Sequence, residues 1–121
     1  VLVSGVVWGV WHWPVIYMGY NYGHGYPGAP WTGMLAMVVF TVAVGGFLSW
    51  TTLRSGSVWP AVAGHGSVNG IGALGLFLVV GTPSPLLGPA ATGLLTMVPW
   101  LVVLGWLLAD PSRLSWRPAD S

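Results

Sequence analysis

The sequence predicts an all-α fold, a polytopic transmembrane bundle of about four spanning helices, on three observations. Hydrophobic residues fill 55% of the 121 positions and charged residues only 4%, a balance that soluble domains do not show. The few charges stand at the ends of apolar runs: Arg54 lies between two of them, and Asp110, Arg113, Arg117 and Asp120 gather at the C-terminal end. The uncharged runs near 1–18, 31–53, 58–80 and 91–109 are each close to the roughly 20 residues that a helix needs to cross a bilayer.

The first run is apolar except for Ser4 and His12, and it carries Trp8, Trp11 and Trp13. Tryptophans gather at membrane interfaces, which is the plain structural reading of that cluster. Pro14 should kink this helix, because it cannot donate to Val10 and its ring crowds the preceding turn. Residues 19–30 are dense in glycine and proline and read as a loop. Three tyrosines in it, Tyr20, Tyr22 and Tyr26, place the loop at headgroup level. His24, between two glycines there, reads as solvent-facing rather than as a ligand.

The second run offers Thr41, Gly45, Gly46 and Ser49 as a small-residue stripe for close helix packing. Arg54 ends it, and Ser55-Gly56 turns the chain into the third run. There Ser57 is placed to cap the helix, and Pro60 falls in the first turn, where a missing N–H costs nothing. Residues 81–89, Gly-Thr-Pro-Ser-Pro-Leu-Leu-Gly-Pro, are too broken by proline for helix. The fourth run carries Pro99 as an expected kink. The division that follows is a transmembrane bundle over 1–110 and a frayed cytoplasmic tail over 111–121.

Composition also excludes functions. A net charge of +1, from three arginines and two aspartates without lysine, cannot make the basic face that nucleic acid requires. The absence of cysteine removes disulfide and thiolate chemistry. The opening residues show no basic n-region or cleavage site of a signal peptide. Arg54 and the pair Arg113 and Arg117 are two crossings apart, so all three fall on one side. The positive-inside rule makes that side cytoplasmic.

Two polar pairs interrupt the apolar runs. His65 and Asn69 stand four residues apart on one face of the third helix, among Gly64, Gly66, Ser67 and Gly70. Small residues there let another backbone or an extended peptide come close. Trp8 and His12 have the same spacing in the first run. Ionisable residues within membrane spans are costly and mark function by default. The alternative is that these side chains hydrogen-bond to neighbouring helices and hold a bundle together. From the run boundaries, His12 and His65 come out offset by about 9 Å across the bilayer, a gap that helix tilt can close.

The order Trp8-x-x-x-His12 and then His65-x-x-x-Asn69, with the lead-in Ser-Gly-Ser-Val-Trp-Pro, resembles the CPBP (Abi) intramembrane endopeptidases, relatives of the CAAX prenyl proteases. The resemblance covers roughly residues 1–80, and phenylalanine is the commoner residue where Trp8 stands. It implies peptide hydrolysis by a water that a glutamate and His12 activate. His65 and Asn69 then form the oxyanion hole, and Trp8 supports His12. It also implies a peptide or protein substrate at the lipid bilayer, lipid-modified in the CAAX case, and a bacterial cell membrane as the setting. The family's Glu-Glu-x-x-x-Arg motif is missing, since the sequence has no glutamate. The chain is therefore expected to be a C-terminal fragment, inactive alone; the alternative is a family member that never had the motif.

No cofactor is expected on this reading. The competing one is a zinc site in which His12, His65 and a carboxylate ligate the metal; Asn69 is a poor zinc ligand but a good oxyanion donor. A third reading is a non-catalytic membrane protein, in bacteriocin immunity or as a scaffold.

Overall fold

The computed structural model describes residues 1–116. Its regular elements are all helical: α1 (Leu2–Trp11), α2 (Trp13–Tyr17), α3 (Trp31–Ser55), α4 (Trp59–Ile71), α5 (Leu74–Leu78) and α6 (Val98–Leu108). A 3₁₀ turn at Pro111–Leu114 follows, and no strand occurs among the described residues. The axis of the fold is α3, against which α1, α4 and α6 each pack. Its 25 residues extend roughly 37 Å at 1.5 Å per residue, enough to cross a hydrocarbon core of about 30 Å.

Glycine decides how α1 meets α3. Gly5 and Gly9 are buried, and a Cβ on either would come within 2.6 Å of a backbone Cα of α3, at Val42 and Val38 respectively. The two backbones touch because neither glycine has a side chain. Thr41 Oγ1 lies 2.9 Å from the Gly5 carbonyl and also reaches the Met37 and Val38 carbonyls of its own helix. Its single hydroxyl proton is thus held at the α1–α3 contact. Ile16, Tyr22, Tyr26, Met34, Met37, Phe40, Val44 and Met97 form the core beside it.

The turn from α3 to α4 follows the sequence closely. Gly56 takes φ +64°, the left-handed conformation that a helix C-terminus favours in glycine, and its N–H donates to Thr52 O. The N-cap is Val58 rather than the expected Ser57, which stands one residue ahead and accepts from the Trp59 N–H at 3.3 Å, with Pro60 in the first turn. Gly64 brings α4 against Leu48. α6 runs in the same direction as α3, since Phe47 meets Trp100 at 5.5 Å and Trp50 meets Trp106 at 5.7 Å.

Two stretches, not four, are long and apolar enough to cross a membrane: Trp31–Ser55 and Trp59–Leu78. The second comprises α4 and α5, none of it buried, against half of the α3 span. The expected run 1–18 breaks at His12. Pro14 cannot donate there, so the helix tightens and the His12 N–H turns to Gly9 O. The expected run 91–109 is helical only over the 11 residues of α6. Pro99 sits in the first turn of that helix rather than kinking it, because a helix start is where a missing N–H is free.

The connections are more closely packed than their composition suggests. Tyr22 and Tyr26 are buried within the protein, and only Tyr20 of the three is exposed. Tyr22 donates to the Thr92 carbonyl at 2.9 Å, tying loop 19–30 to the segment before α6. The described part of the tail forms the 3₁₀ turn Pro111–Leu114. Asp110 Oδ1 accepts from the Ser112 N–H, and the Arg113 guanidinium lies 4.3 Å from the centre of the Trp106 ring while also bonding the Trp106 carbonyl. Arg117 and Asp120 lie outside the described residues.

Candidate active site

The site grows from the seating of α1. With Gly5 and Gly9 pressed onto α3, Trp8 is carried beside Gly45. One turn later α1 ends. The His12 N–H goes to Gly9 O, so the Trp8 carbonyl loses its usual backbone partner, and His12 Nδ1 takes it at 2.8 Å. A carbonyl only accepts, so Nδ1 carries the proton. In the neutral ring, Nε2 is then the nitrogen with a free lone pair. The half-buried His12 side chain therefore presents a basic nitrogen in a fixed orientation.

His65 approaches from the other side. Its ring centre lies 5.1 Å from that of Trp8 at an interplanar angle of 76°, edge to face. The His12 ring lies 6.2 Å from the same indole, tilted by 59°. The two predicted half-sites thus border one side chain, Trp8. Asn69 stands a turn beyond His65 on α4 and is exposed, with no hydrogen-bond partner for its carboxamide among the described residues. His24 is exposed in its loop, and its ring rests against Gly19, with no contact to Trp8 or the other histidines.

An apolar cavity of about 440 Å³ opens between α3, α4, α5 and α6, walled by residues such as Phe47, Leu48, Val68 and Trp100. Neither histidine lines it, nor does Asn69. It faces the α3 and α6 side of α4, whereas Trp8 meets His65 from α1. Its polar lining residue, Ser67, already gives its hydroxyl proton to Ala63 O.

Metal ligation needs more than these residues supply. The described residues contain no group of three or more His, Cys, Asp or Glu side chains. His12 Nε2 and His65 could offer two imidazoles, and a third ligand would have to come from elsewhere.

Comparison with known families decides what kind of chain this is. The family described as type II CAAX prenyl endopeptidase Rce1-like matches residues 1–71, well over half of the sequence. The chain belongs to the Rce1-like family. The matched stretch of this Rce1-like chain runs from α1 to the end of α4 and so contains Trp8, His12, His65 and Asn69. At the coarse level this makes it a membrane-embedded protein of an endopeptidase family. No curated protein and no solved structure matches it.

Sequence reasoning singled out four candidate residues in the Rce1-like chain but missed what positions them. Gly5 and Gly9 form a Gly-x-x-x-Gly pair, a legible signal for close helix packing that brackets Trp8. Thr41 and Gly45 were legible as small residues, though not as the seat of α1.

Proposed function

We propose that this chain carries the histidine and asparagine half of an intramembrane endopeptidase site of the CAAX-protease type. The observation that carries the reading is the Trp8 indole shared by His12 and His65, within the stretch that matches the family. Hydrolysis requires a base for water and donors for the oxyanion. His12 Nε2, left free by the Nδ1 bond, accepts a hydrogen bond from the attacking water. The base itself is a carboxylate outside this sequence, which has no glutamate and keeps Asp110 and Asp120 beyond α6.

Water oxygen bonds to the scissile carbonyl carbon while its proton passes to that carboxylate. The carbonyl becomes an oxyanion, stabilised by an imidazole N–H of His65 and the Asn69 carboxamide N–H. Collapse breaks the C–N bond, and the proton goes on to the leaving amine. The exposed Asn69 carboxamide, uncommitted to other protein groups, suits a donor that engages only when substrate arrives. No metal enters this scheme, and the substrate is a peptide at the membrane, lipid-modified as the family description suggests. The arginine-bearing ends of α3 and α6 face the cytoplasm.

The test is cleavage of a membrane-embedded reporter, with and without a prenyl group, by the full-length protein in liposomes. His65→Ala and Asn69→Ala each lower cleavage about 10²-fold to 10³-fold, the usual cost of one oxyanion donor. Cleavage persists under a strong chelator. Loss of activity on chelation, restored by zinc, would replace this scheme with the two-histidine zinc site. A full-length protein that cleaves neither reporter would favour the non-catalytic reading.

A further inference from the structure

Trp8 does more than pack beside His12. α1 and α4 each pack on α3, and the ring contact between Trp8 and His65 is what joins their functional residues. The contact is also well determined from the α1 side. Gly5 and Gly9 fix the rotation of α1 on α3, which sets the indole beside Gly45. His65, by contrast, has no hydrogen bond to another residue among those described, and α4 has no fully buried residue. An imidazole on so exposed a helix keeps several rotamers unless a neighbour restrains it.

We propose that Trp8 is the positioning residue for His65: its indole holds the imidazole plane edge to face and thereby aims its N–H at the oxyanion. The role rests on the endopeptidase reading only for its effect on rate; the restraint on the ring stands without it. The geometry at 5.1 Å and 76° is the favoured arrangement for aromatic pairs, in which the edge of one ring meets the electron-rich face of the other. His12 also borders the indole, at 6.2 Å, but its tautomer is set by the Trp8 main-chain carbonyl, which survives any substitution of the side chain. The His65 resonances, rather than the rate alone, therefore carry the test, and the His12 tautomer stays in place.

The experiment uses the full-length protein with labelled histidine, in detergent micelles. In the unsubstituted protein, nuclear Overhauser contacts link the Trp8 indole to the His65 imidazole, and their absence overturns the proposal without any variant. Trp8→Leu moves the His65 ring resonances and broadens them, while the exposed Trp11→Leu leaves them unchanged. In the cleavage assay Trp8→Leu lowers kcat about fivefold to tenfold, the equivalent of one aromatic pair, and leaves KM within about twofold. Trp8→Phe restores most of that loss. Equal loss in the Leu and Phe variants would mean that Trp8 fills space only, and unchanged His65 resonances in Trp8→Leu would overturn the restraint. If the unsubstituted protein does not cleave but its His65 resonances respond to Trp8, the endopeptidase reading fails and the positioning role remains.

Discussion

At the scale of single residues, the hydrogen bonds that matter are those created by a backbone group losing its ordinary partner. The Trp8 carbonyl is freed when α1 tightens ahead of Pro14, and this gives His12 one defined tautomer. The Thr92 carbonyl, in an irregular segment, is satisfied by Tyr22. Burial pushes the Tyr22 phenol up to about 12 from its ordinary 10. The folded value lies above the unfolded one, so the stability tied to the neutral phenol is complete below pH 10. It is lost as pH rises through about 12, at most about 3 kcal/mol for a shift of this size. Thermal unfolding in detergent should therefore show a midpoint falling between pH 10 and 12. Tyr22→Phe starts about 1 kcal/mol less stable, from the unpaired carbonyl, and shows a flatter alkaline decline. An identical decline in both proteins would assign the effect to other groups.

At the scale of elements, the sequence was legible where a long uncharged run coincides with good helix ends. α3 and α4 have such ends: Arg54 and Gly56 close one, and Ser57 and Pro60 open the other. Runs 1–18 and 91–109 are just as apolar, yet they are not single helices. Hydropathy reports burial, not continuity, and prolines and threonines decide the latter. Thr96 Oγ1 sits within hydrogen-bond reach of three carbonyls, of Ala90, Ala91 and Gly93, and helps hold the segment before α6 in turns. The burial of Tyr22 and Tyr26 was not legible for a related reason, since a tyrosine is equally at home at an interface or in a core with a partner for its hydroxyl. The candidate half-sites stood out because polar residues in apolar helices are conspicuous; that both border Trp8 depends on the register of α1 on α3. Gly9→Leu tests that register. Its side chain would have to displace the Val38 backbone and the Thr41 hydroxyl, overpacking that costs about 1–3 kcal/mol. The expected result is a lower melting temperature together with loss of the Trp8–His65 Overhauser contact. Retention of that contact would show that α1 is held by something other than its glycines.

At the scale of the whole molecule, helix direction links packing to orientation. Phe47 with Trp100 and Trp50 with Trp106 advance together along α3 and α6, so the two helices run the same way. Arg54 at the end of α3 and Arg113 beyond α6 therefore fall at one end of the structure, while α1 and α4 run opposite to α3. Loop 19–30, ahead of α3, lies at the other end. This is the pattern that the positive-inside rule requires if the arginine end is cytoplasmic. It also divides the site, because His12 ends α1 towards loop 19–30 while His65 enters α4 from the Arg54 end. The indole of Trp8 spans the distance between those two depths. The sequence contains no cysteine, so single cysteines report position cleanly. We expect Ser55→Cys and Ser115→Cys in the full-length protein to react with an impermeant maleimide only from the cytoplasmic face of sealed vesicles, and His24→Cys only from the opposite face. All three positions are exposed, so a lack of reaction on one side reports topology rather than burial. Labelling of Ser55→Cys and Ser115→Cys from opposite faces would contradict the shared direction of α3 and α6. Labelling of all three from one face would mean that α3 does not cross the membrane, and would remove the bilayer from the account of the site.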